Sequence, residues 1–65
     1  MEEKMMKLVR GLDVKGLKDL WDKTSTMEQR MAVILRDAVM NRLEEMDEEK
    51  FEQWLDDEDF TRFVA

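Results

Sequence analysis

The chain has 65 residues, 43% hydrophobic and 43% charged, with a net charge of −6. At this length folding removes only about 60% of the unfolded chain's surface from water, so a single core is marginal and calls for a staple or for self-association. Without Cys or His, disulfides, thiolate metal sites and the commonest transition-metal ligand are excluded, which leaves self-association.

The apolar content is too high for a disordered chain, and the absence of Pro with only two Gly favours helix. The expectation is an all-α fold, a single domain over residues 1 to 65. It is a small bundle of three to four helices with a long central third helix.

Met5, Met6, Leu8 and Val9 followed by Gly11 predict a first helix over residues 2 to 10, with Gly11 left-handed just past its end. Asp13 is placed to cap a second helix running to Lys23, with Val14, Leu17, Leu20 and Trp21 at helical spacing. Gly16 weakens that helix by about 1 kcal/mol relative to Ala.

Thr24-Ser25-Thr26 is the strongest local signal. Ser25 with Glu28, or Thr26 with Gln29, forms a capping box that opens a long helix over about 26 to 46. At about 100° per residue Met27, Met31, Ala32, Ile34, Leu35, Ala38, Val39, Leu43 and Met46 fill an arc of roughly 180°, wider than an ordinary surface helix needs. Val33 and Met40 lie outside that arc and one above the other. They are the expected self-association surface, whereas Met27, Met31 and Met46 are expected in the core.

Asp47 is the next N-cap, with Glu48 and Glu49 in the first turn where negative charge suits the helix dipole. Phe51, Trp54 and Leu55 give a fourth helix its apolar side. Asp56-Asp57-Glu58-Asp59 puts four carboxylates at the end where the dipole favours cations, so the helix should stop there. Trp21 and Trp54 read as core anchors, and Phe60, Phe63 and Val64 as a short tail docked on the bundle.

The longest apolar run, Met31 to Leu35, is far short of the roughly 20 residues that span a bilayer, and Glu2, Glu3 and Lys4 leave no signal-peptide core. A cytoplasmic protein without a membrane partner is expected. Catalysis is disfavoured by missing residue types. There is no His, Cys or Tyr, and Ser25, Thr24 and Thr26 are accounted for by capping. Carboxylate pairs alone need a deep cleft to shift their pKa, which four short helices do not build. No catalytic residue, cofactor or metal is assigned, because residues 56 to 59 lack the alternating oxygens and the glycine of a calcium loop.

Charge is divided along the chain: residues 1 to 43 carry nine Lys/Arg against seven Asp/Glu, and residues 44 to 65 two against ten. The acidic half repels phosphates, and the basic set Lys4, Lys7, Arg10, Lys15, Lys18 and Lys23 is interrupted by Asp13, Asp19 and Asp22, so direct nucleic-acid binding is disfavoured. Glu44, Glu45, Glu48, Glu49, Glu52, Asp56, Asp57 and Asp59 form a candidate partner face. It either confers solubility or imitates the charge of a DNA backbone, which would make the chain an inhibitor of a DNA-binding protein.

Met6-Lys7-Leu8-Val9-Arg10 followed by Val14, Leu17 and Asp22-Lys23, then Asn41-Arg42-Leu43-Glu44-Glu45-Met46, then an aromatic C-terminus at Phe60 and Phe63, make a pattern over most of the chain. It resembles the Hha/YmoA family of small bacterial nucleoid-associated regulators. The chain departs from that family at Met40-Asn41, where the family has Asp-His, and in the acidity of residues 44 to 59. The resemblance implies a four-helix protein without its own sequence-specific DNA contact, bound to the helical oligomerisation domain of an H-NS-type silencer.

Taken together, the expectation is a non-catalytic regulatory or adaptor protein, of a kind phages and plasmids encode. It acts as a homodimer on a protein partner, itself a DNA-binding or nucleoid protein.

Overall fold

In the computed structural model, which describes residues 2 to 64, the chain forms four α-helices and two single 3-10 turns: α1 (Glu2–Arg10), α2 (Val14–Lys23), a turn at Thr24–Thr26, α3 (Gln29–Met46), α4 (Glu48–Asp57) and a turn at Phe60–Phe63. The all-α class and the long central helix are as the sequence predicts. The helix boundaries have local causes. Asp13 is extended and its Oδ1 accepts the Gly16 N–H at 2.8 Å, satisfying one free amide at the start of α2. Asp47 ends α3 and starts α4 in a single residue: its N–H donates to the Leu43 carbonyl at 3.0 Å and its Oδ1 accepts the Lys50 N–H at 3.1 Å.

Two connections differ from expectation. Gly11 has no positive φ; α1 ends instead by tightening, with Gly11 N–H on the Leu8 carbonyl and Leu12 N–H on that of Val9, both at 3.2 Å. The capping box does not form. Thr24, Ser25 and Thr26 turn their hydroxyls backward, donating to the carbonyls of Trp21, Asp22 and Lys23, so they serve the free C-terminal carbonyls of α2. Met27 is extended, and α3 begins only at Gln29, after a Glu28 N-cap without a side-chain bond.

Gly16 does more than weaken its helix. A Cβ there would stand 3.1 Å from Leu12 Cβ and Cδ2, so the missing side chain lets Leu12 fold over the first turn of α2.

Each helix and the last turn contribute to one buried cluster: Val9 from α1, Leu17 from α2, Ala38, Val39 and Leu43 from α3, Trp54 from α4 and Phe60. Trp54 lies at its aromatic centre, edge-to-face with Trp21 at 4.9 Å and with Phe60 at 5.3 Å between ring centroids, the geometry the ring quadrupole favours. Phe60 is buried and Phe63 packs against the cluster, so the aromatic tail docks on the bundle, while Val64 stays exposed. Among the described residues no helix is long and apolar enough to cross a membrane.

Candidate functional site

Two exposed surfaces carry the candidate residues; Leu8 on α1 and Leu55 on α4 are exposed apolar side chains outside them. The first lies on α3. Its buried residues are Ala32, Leu35, Ala38, Val39 and Leu43, so the apolar arc is only partly covered. Val33 is 61% exposed, Met31 41% and Ile34 38%. Val33, Ile34 and Arg30 line an open, shallow concavity with Glu28 and Gln29 at the helix's N-terminal end.

Met40 does not belong to this surface. It is partly buried and packed against the core, because α3 is covered on more than one side near its C-terminal half. Met31 and Met46, expected inside, are exposed. On the outward face of α3 the exposed apolar residue beside Val33 is therefore Ile34, not Met40, while Met31 and Met46 are exposed elsewhere on the helix.

The second surface is acidic. Glu44, Glu45, Glu48, Glu49, Glu52, Asp56, Asp57 and Asp59 are all exposed, but they do not form a uniform face. Arg10 grips Glu45 through two bonds, Nε to Oε1 at 3.3 Å and Nη2 to Oε2 at 2.7 Å, tying α1 to the end of α3. Arg62 holds Asp57 in the same forked manner and donates to Gln53 Oε1 at 3.1 Å. Asp59 accepts the Thr61 N–H and hydroxyl, capping the last turn.

These contacts hold the three carboxyls below the ordinary carboxylate range: Glu45 through its hydrogen bond with Arg10, Asp57 through that with Arg62, and Asp59 through that with the Thr61 hydroxyl. Glu45, Asp57 and Asp59 thus do structural work that the sequence did not reveal. Glu44, Glu48, Glu49, Glu52 and Asp56 make no ion pair among the described residues. Of these, Glu48, Glu52 and Asp56 follow one another at four-residue spacing along α4, about 6 Å apart along its axis.

Asp56, Asp57, Glu58 and Asp59 do not converge, and among the described residues no three carboxylates are placed to share a metal ion. The segment instead closes α4: Glu58 is left-handed (φ 53°, ψ 34°) and its N–H donates to the Trp54 carbonyl at 2.6 Å.

One polar unit escaped the sequence reading. Thr24 is buried, and its Oγ1 accepts from Arg36 Nε at 2.7 Å while donating to the Trp21 carbonyl. The Arg36 guanidinium lies 5.3 Å from the centre of the Trp21 ring, a cation–π distance. This unit fixes the middle of α3 to the end of α2 and the turn that follows it. Nothing in the spacing of residues 24 and 36 announces it.

In comparisons with family models, curated proteins and solved structures, nothing matches the chain.

Proposed function

We propose that the protein is a small, non-catalytic regulator or adaptor that acts by protein–protein contact and self-associates through α3. The observation that carries this reading is the exposed pair Val33 and Ile34 on the outward face of the longest helix, in a chain too short to leave apolar surface in water without cost. The residue types give the same direction: without His, Cys or Tyr the chain lacks the usual acid–base and nucleophilic side chains.

The likeness to the Hha/YmoA pattern supports a nucleoid or other DNA-binding protein as partner; a cytoplasmic place of action and a phage- or plasmid-borne origin are further parts of the proposal that do not rest on that likeness. Sedimentation equilibrium tests the self-association. A dimer that grows with concentration into the high micromolar range is expected, and a strict monomer there contradicts it.

A second reading rests on the unpaired stripe Glu48, Glu52 and Asp56 beside Glu44 and Glu49. Regularly spaced exposed carboxylates on a rigid helix imitate backbone phosphates and occupy the DNA site of a partner. Such a complex is displaced by duplex DNA and weakens steeply between about 50 and 200 mM salt; a salt-insensitive complex rejects mimicry.

A further inference from the structure

The exposed face of α3 reads the same in both directions. At about 100° per residue, Arg30 and Asp37 fall near the middle of that face, and Val33 and Ile34 lie on either side of it between them. All four side chains are exposed. Among the described residues neither Arg30 nor Asp37 has an ion-pair partner, and they are seven residues apart, about 10.5 Å along the axis, with Val33 and Ile34 between. The sequence of the face is cation, two β-branched apolar residues, anion.

We propose that this face binds a second copy of the chain, with the two α3 helices antiparallel about a two-fold axis level with the Val33–Ile34 peptide. This rests on the self-association reading above and adds to it an orientation and a register. A two-fold axis between antiparallel helices, perpendicular to both, carries height z on one helix to height −z on the other and leaves the lateral side unchanged. Arg30 of each copy then meets Asp37 of the other, twice over. Val33 meets its own copy on one side of the face, and Ile34 its own copy on the other.

A parallel pair makes the opposite match. It sets Arg30 against Arg30 and Asp37 against Asp37, so the charges select the antiparallel arrangement. One helix face covers less than the roughly 800 Å² per partner of a tight dimer. The dimer is accordingly a micromolar one in which two ion pairs decide orientation.

The test uses the full chain, which has no native Cys. By sedimentation equilibrium, Arg30→Asp and Asp37→Arg should each weaken the dimer about tenfold by replacing two attractions with two repulsions. The double reversal should return it to within about threefold of the wild type, since the pairing is restored with signs exchanged.

Val33→Cys should oxidise to a covalent dimer, whereas Asn41→Cys, on the same face but far from the axis, should not. Failure of the double reversal to rescue, or efficient cross-linking through position 41, overturns the antiparallel register while leaving self-association standing. A monomeric wild type overturns both the register and the reading on which it rests.

Discussion

The two halves of α3 obey different rules although one helix carries both. Toward the C-terminus Ala38, Val39 and Leu43 are buried, Met40 packs against the same cluster, and Arg10 reaches across from α1 to Glu45. Toward the N-terminus Ala32 and Leu35 are still buried, but Met31, Val33 and Ile34 are exposed, and Arg30 and Asp37 beside them have no ion-pair partner among the described residues; at the far C-terminal end Met46 is exposed as well. Helices of nine and ten residues are too short to cover eighteen. An apolar residue on α3 therefore belongs to the chain's own core or to a contact outside it according to its position along the axis as well as around it.

The sharpest way to break this contrast is truncation on each side of it. Leu43→Ala should lose about 2–5 kcal/mol in urea unfolding, through lost burial and a residual cavity, which approaches the whole stability of so small a domain. Val33→Ala should stay within about 0.5 kcal/mol when measured on dilute monomer. Equal losses at the two positions would erase the distinction.

Thr24→Val probes the tie between the middle of α3 and the end of α2. It keeps the shape but leaves the Arg36 Nε without its acceptor, and should cost about 1–2 kcal/mol in the same assay. Glu58→Gly should act in the other direction. Relieving a left-handed non-glycine residue offsets the added freedom of the unfolded chain, for a gain of about 0.5–1 kcal/mol, read as a higher urea midpoint.

The smallest effect concerns pH. Glu45, Asp57 and Asp59 titrate lower in the folded chain than unfolded. Their contribution is therefore complete above the ordinary carboxylate pKa, near about pH 4, and is lost as pH falls through the lower folded values. Because all three carboxylates are exposed, two of them in ion pairs and Asp59 on Thr61, the loss should be shallow. Glu45→Gln should flatten it further in a pH series of urea midpoints.

Much of this architecture is legible in local chemistry. Asp13 and Asp47 cap the helices they precede because a short side-chain acceptor beside free amides has little else to do, and the apolar spacing of Leu17 and Trp54 marks their buried faces. Thr24-Ser25-Thr26 misleads because the same hydroxyls can serve the helix behind as well as the one ahead, and only the three-dimensional course of the chain decides between them. The arc of α3 shows how much apolar surface it carries but not which part its neighbours cover. That is why Met40 and Met31 exchange places relative to expectation.

The acidic surface has the same lesson. All eight expected carboxylates are exposed, yet Arg10, Arg62 and Thr61 occupy Glu45, Asp57 and Asp59. Arg10 and Glu45 are 35 residues apart, beyond the reach of any local pattern.

The most direct measurement is sedimentation equilibrium of Val33→Asp beside the wild type at equal high-micromolar loading, with helix content checked by circular dichroism. The account predicts a dimeric wild type and a monomeric variant of unchanged helix content. Two chains that sediment alike, or a variant that loses its helices, would contradict a surface that is free of the fold and used for association.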